Sequence, residues 1–230
     1  AFIVKKRLLR KDEHQNQRIR THLDPFLKLF TDMHGRTEEY VELFPVHPGY
    51  FENFEKIRIA KSQREILKTL SNQFLRMMDQ DVPEDNPGLL TYDRYWEDMQ
   101  RSQDLMAIPD VRKVKEITET IYDKIDTYFT NARASQKPAA KRIVNACAIK
   151  LLQHELSKQN GTNTEHLVDD LCLTSKIAMD RDFLIDSVDA TAQLIITATS
   201  GQYFDKNTNN DEYHLRVEGG INFDQKIKDY

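Results

Sequence analysis

Arg64 and Lys68 are the residues of this chain best placed to do chemistry. They follow the elbow Leu43-Phe44-Pro45-Val46-His47-Pro48-Gly49-Tyr50 and lie in the stretch Ser62-Gln63-Arg64-Glu65-Ile66-Leu67-Lys68-Thr69-Leu70. Ser62 and Glu65 have the spacing of a capping box, which puts both cations in the first turns of a helix. The helix dipole slightly disfavours positive charge there, so a partner is expected. A surface carboxylate is the ordinary one. The functional one is the phosphate of a nucleotide held by an adjacent domain. A cation that reaches a transferring phosphate stabilises its charge and reports nucleotide state. This layout suits the helical lid of a nucleotide-binding machine better than a catalytic pocket.

A second set of cations could meet phosphate in another way. Lys137, Lys141, Arg142 and Lys150 fall on one predicted helix, and Lys206 lies near a predicted hairpin. They are candidates for nucleic-acid contact, against the plainer reading of a solvated helix face. Among three helices followed by a hairpin, the third usually enters the major groove. Here it would present Asp182, Asp186 and Asp189, which phosphates repel. Sequence-specific DNA binding by this unit is therefore disfavoured.

Other chemistry lacks its residues. The seven histidines include no pair at i, i+4, and none neighbours a cysteine, so zinc sites are not indicated and capping or surface roles are expected. Cys147 and Cys172 lie in apolar helical patterns and read as buried thiols of a reducing compartment. The phosphate-loop pattern Gly-x-x-x-x-Gly-Lys-Ser/Thr is absent, so these residues alone are not expected to hydrolyse ATP. Ser200-Gly201 lacks the frame of a nucleophile elbow.

The elements that must hold these residues follow from periodicity. The chain has 230 residues, 39% hydrophobic and 30% charged, with seven glycines and seven prolines, which points to a mainly helical protein. Its net charge of −4 is mild, but the distribution is uneven. Residues 1–36 carry nine Lys/Arg against four Asp/Glu, residues 79–126 six against thirteen, and residues 131–158 six against one. No apolar run reaches the roughly 20 residues of a membrane helix, and no signal peptide is seen, so a cytoplasmic location is expected. The chain opens at Ala1 without a methionine and is expected to be a piece of a longer protein.

Phe2 to Val4 could end a strand. Ile19, Leu23, Phe26, Phe30 and Met33 predict one amphipathic helix over about 11–34. A short helix is expected over Thr37–Leu43, then an extended segment around Val46 and His47. Ile66, Leu67, Leu70, Phe74, Met77 and Met78 should form the buried face of the next helix. Residues 79–90 read as a linker. A short aromatic helix follows at Tyr92, Tyr95, Trp96 and Met99, then a helix capped by Asp110 with Val114, Ile117, Ile121, Ile125 and Tyr128 inside. Residues 131–137 read as a second boundary. Beyond it, Pro138 should open a helix ending at Asn160-Gly161, Thr162 and Glu165 cap another, and a third cover Asp182–Thr197. Strands around a turn at Lys206–Asp211 complete the order of a winged helix. The expected division is a helical lid-like region over 1–130 and a winged-helix-like domain over 131–230.

At three places the chain resembles the PglY-like proteins of bacterial phage-resistance (BREX) systems, large AAA+ ATP-binding proteins. They are Phe44–Leu70, then Pro87-Gly-Leu-Leu-Thr-Tyr-Asp-Arg-Tyr-Trp96, and then Ser200-Gly-Gln-Tyr-Phe204 with Asn210-Asp-Glu-Tyr-His-Leu215 and Ile221-Asn-Phe-Asp224. The resemblance implies a non-catalytic region downstream of the Walker motifs, an AAA+ lid-like bundle and a winged helix. ATP and Mg²⁺ would be bound by the parent protein. It implies the upstream ATPase core of the same chain as partner, together with other defence-system proteins. It carries Arg64 over as a sensor-like arginine. Asp211-Glu212 stands where a Gly-Gln pair is expected, which puts the role of the wing in doubt. The alternative is a stand-alone winged-helix module that binds DNA or protein with no ATPase.

Overall fold

In the computed structural model, residues 9–57, 63–174 and 180–217 are described, with side chains left out for 63–66. They form eleven α-helices and one two-stranded antiparallel sheet. The expected strand at Phe2–Val4, the Ser62–Glu65 capping box and the Ile221–Asp224 motif lie outside the residues or side chains described.

Helix α1 (Glu13–Leu23) starts at a capping box: Asp12 accepts from the Gln15 backbone N–H at 2.7 Å, and Gln15 returns the contact at 2.9 Å. The single helix expected over 11–34 is broken. Pro25 has no backbone N–H, and its ring clashes with the carbonyl four residues back. The chain therefore turns through a 3₁₀ segment, Asp24–Phe26, before α2 (Thr31–Gly35). Leu23, Phe26, Phe30 and Met33 are nevertheless all buried, because the break leaves them on the same side. Helix α3 covers Thr37–Leu43, as its sequence suggests.

The elbow is extended only as far as His47. The Phe44–Pro45 bond is cis, and Val46 forms a parallel bridge to Leu90. Helix α4 (Pro48–Lys56) then begins, with Pro48 in its first turn and the His47 ring as its cap. Its start was not legible in the sequence, although proline suits a first helical position. Helix α5 (Gln63–Met77) buries Leu70 and leaves Met78, expected inside, 61% exposed. Residues 79–90 hold no helix.

Helices α6 (Asp93–Met99), α7 (Gln103–Met106) and α8 (Pro109–Tyr128) follow. The α8 cap is Ile108, not Asp110; Pro109 takes the first position and moves Asp110 into the first turn. A 3₁₀ turn at Asn131–Gln136 leads to α9 (Lys137–Leu152). This helix ends eight residues before Asn160, and Gln159 then takes a left-handed conformation. Helix α10 (Thr164–Leu171) is capped by Asn163 rather than Thr162, whose backbone instead pairs with Tyr213. Helix α11 (Arg181–Thr199) is capped by Asp180. Strands β1 (Phe204–Asn207) and β2 (Glu212–Leu215) close the described chain, with Phe204 opposite Leu215 and Asn207 opposite Glu212.

Helix α9 is buried nearly all round. Ala140, Ile143, Val144, Ala146, Cys147, Ala148, Ile149, Leu151 and Leu152 are all covered, as a helix with apolar residues on every side requires. It packs on α6, α8, α11 and β2. One hydrophobic cluster consequently runs from Leu9 to Leu215.

The hairpin is seated on residues 161–162. Thr162 and Tyr213 exchange backbone hydrogen bonds of 3.0 and 2.9 Å. A Cβ on Gly161 would stand 2.2 Å from the Tyr213 carbonyl oxygen. Because the obstacle is backbone, Gly161→Ala should lower stability by about 2–3 kcal/mol, seen as a depressed Tm, since overpacking costs about 1–3 kcal/mol and this contact has little room to relax.

Candidate functional site

Helix α5 faces α6 and α7 across an open cleft of about 1110 Å³. The inner side of α5 is held by buried Leu70 and by Asp98 on α6. Asp98 accepts from the Gln73 amide at 2.7 Å and from the Arg76 guanidinium. Lys68 is exposed on the outer side and lines the cleft with Asn72, Arg76, Arg101 and Ser102. Met99 and Leu105, both buried, form an apolar floor. Lys68 and Arg101 have no ion-pair partner among the described residues. The cleft therefore offers cations over an apolar base. Such an arrangement is suited to holding an anionic group.

Sequence reading pointed to Lys68 but missed Arg76 and Arg101. Nothing in their spacing marks them; only the turn after α6 brings Arg101 to the same opening. The Arg64 side chain lies outside those described.

The expected nucleic-acid contacts are engaged within the fold, Lys150 as described below. Lys137 and Lys141 both pair with Asp126, at 3.3 and 2.8 Å. Lys206 lies 3.3 Å from Asp189 and 2.9 Å from Asp211, over the Tyr213 ring. Arg142 points inward: its Nε donates to Asp93 at 2.8 Å, and its Nη2 donates to Thr91 at 2.7 Å and to the Leu171 carbonyl at 2.6 Å. Burial opposes the charge on Asp93, but Arg142 and the Thr91 hydroxyl outweigh it and hold the carboxyl below its usual range.

Two further polar groups lie deep in the fold. His47 is 1% exposed. Its Nδ1 accepts the Gly49 N–H at 2.9 Å, so the ring proton belongs on Nε2. From there it reaches the Tyr40 hydroxyl at 2.7 Å and the Asp169 carbonyl at 3.1 Å, while Tyr40 donates to Asp32 at 2.7 Å. Asp169 also receives a bidentate pair from Arg181, both bonds 2.9 Å, and Arg181 donates to the Leu29 carbonyl. Lys150 donates to Asn53 at 2.7 Å and faces Asp170 at 3.8 Å. Burial pushes the Lys150 pKa down and the Asp170 pKa up. These groups satisfy one another and tie distant segments together, which is a structural role.

Cys147 and Cys172 are free and buried, and burial raises both thiols. Among the described residues no group of three or more His, Cys, Asp or Glu could hold a metal ion, and no helix is long and apolar enough to cross a membrane.

No curated protein and no solved structure matches the chain. The model of a family described as the DUF6079 second domain matches residues 12–221, from the capping aspartate of α1 to beyond the hairpin, and the chain belongs to that family.

Proposed function

We propose that this chain is the non-catalytic lid and winged-helix region of a cytoplasmic AAA+ phage-defence ATPase, where it couples nucleotide state to partner contacts. The observation that carries this reading is the cleft beside α5, where Lys68 stands with Arg76 and Arg101 at an open mouth. Such a mouth suits the phosphate of a nucleotide presented from outside. ATP and Mg²⁺ would sit on the upstream core, since the phosphate-loop pattern is absent from this sequence. The order α9, α10, α11 and hairpin supports a winged-helix arrangement, and membership in a second-domain family supports a place beside other domains.

The test is the ATPase rate of the parent protein, wild type against Arg64→Ala and Lys68→Ala, with thermal melts. An unchanged melt with a rate reduced by about tenfold or more, equal to about 1.4 kcal/mol in the barrier, is expected. Full activity in both variants would remove the nucleotide role. A second reading, a partner-binding module without ATPase, is favoured by the exposed apolar residue Leu75 in the lining of the same cleft. Protein is the better partner there, because the basic residues expected to meet DNA are held by carboxylates.

A further inference from the structure

Four large hydrophobic side chains are exposed among the described residues, and three of them fall within eight residues of sequence, at the end of α5 and just beyond it. Leu75 is 62% exposed, Met78 61% and Val82 53%; the fourth, Phe183, is on α11. Scattered apolar residues on a surface need no explanation, whereas Leu75 is exposed in the lining of a cleft whose floor is apolar, which suits an interaction site. Leu75 also shares a helical face with Lys68, seven residues earlier, and both line the cleft. Leu70 is buried under α5, and Asp98 at the cleft rim holds Gln73 and Arg76, so Leu75 is presented on a held element.

We propose that this end of α5 and the adjoining cleft seat an amphipathic helix from a neighbouring domain of the same polypeptide. The cleft volume takes roughly two turns of a helix whose diameter is about 10–12 Å. Apolar residues at i, i+3 or i+4 of that helix would meet Leu75, Met78 and the Met99–Leu105 floor. The rim sets its flanks. Arg76 and Asp98 cancel, and Lys68 and Arg101 outnumber Asp104, so the incoming helix carries carboxylates.

Size decides between a tethered and a free partner. A stable interface between separate proteins buries on the order of 1,000 Å² or more, beyond what three side chains and a cleft rim offer. A tethered segment needs less, because a linker raises its effective concentration to about the millimolar range. A family defined as a second domain has such a tethered neighbour. The proposal rests on the reading of this chain as one domain of a larger protein, but not on any nucleotide role.

The test uses the intact parent protein with Leu75→Cys, Met78→Cys or Asp123→Cys, the last on the exposed side of α8. Maleimide labelling is followed at each site by peptide mass spectrometry. Cysteines at 75 and 78 should label about tenfold or more slower than the one at 123, corresponding to about nine-tenths coverage. A photo-crosslinker at 75 should join an acidic, amphipathic helix of the same chain, at a yield independent of dilution. Labelling as fast as at 123 overturns the proposal. So does a crosslink between two copies that fades on dilution, or one to a different protein. Slow labelling together with full ATPase activity in Lys68→Ala would keep this docking and remove the nucleotide coupling.

Discussion

Arg142→Ala is expected to destabilise the protein by about 3–5 kcal/mol, the cost typical of breaking a buried ion pair from one side. Asp93 is fully buried, and Arg142 is its only cation partner among the described residues. Removal of the guanidinium leaves a carboxylate without counter-charge, and it also strips a donor from Thr91 and from the Leu171 carbonyl. Urea denaturation of the two proteins at pH 7 measures the difference. The double variant Arg142→Met with Asp93→Leu provides the contrast. Replacing both partners by apolar groups removes the unpaired charge, so it should recover most of the loss. A single variant within about 1 kcal/mol of wild type would mean that Asp93 reaches water or another cation.

The second large effect is a loss of stability in mild acid. Burial drives the His47 pKa down to about 4, despite the opposing pull of Asp32 and the Asp169 carbonyl; Arg36 adds to the lowering and Asp93 counters it. In the unfolded chain the ring titrates near its ordinary 6.5. Between those values the unfolded state binds the extra proton, so stability is complete above about pH 6.5 and falls as pH drops toward 4. The full loss is about 3 kcal/mol, at 1.36 kcal/mol per pKa unit. Burial also lowers the His214 pKa, which acts in the same direction, whereas the raised Asp170 pKa acts oppositely at the acid end. Urea unfolding at pH 7.0 and 4.5 for wild type and His47→Gln isolates the histidine. The variant should lose most of the pH dependence; an equal slope would assign the effect to other groups.

Both effects arise where sequence reading was weakest. Helices α6 and α8 were legible because their apolar residues recur at three and four, a signal contained within one helix, and α3 and α11 take nearly the spans expected of them. Pro25 and Pro48 altered that pattern in ways a hydrophobic count does not register: one broke a helix and the other began one. Met78 continued the apolar face of α5 in sequence, yet the helix ends at Met77 and Met78 lies outside the packing. The polar ties were not legible at all. Arg142 reaches Asp93 across 49 positions, Lys150 reaches Asn53 across 97 and His47 reaches Asp169 across 122. No spacing rule encodes such pairs; they exist once the helices have packed. Lys68 could be picked out by its place near a helix start, a local signal, while its neighbours in the cleft could not.

The buried position of α9 has a consequence for synthesis. The aromatic helix α6 leaves the ribosome before the helix that covers it. At about 5–20 residues per second, roughly 2–10 s separate Asp93 from Arg142 in a growing chain. Through that interval Tyr92, Trp96 and an unpaired Asp93 lack their cover. The nascent chain is thus most in need of a holding chaperone just before α9 emerges, and a translational pause within residues 100–137 would lengthen that exposure.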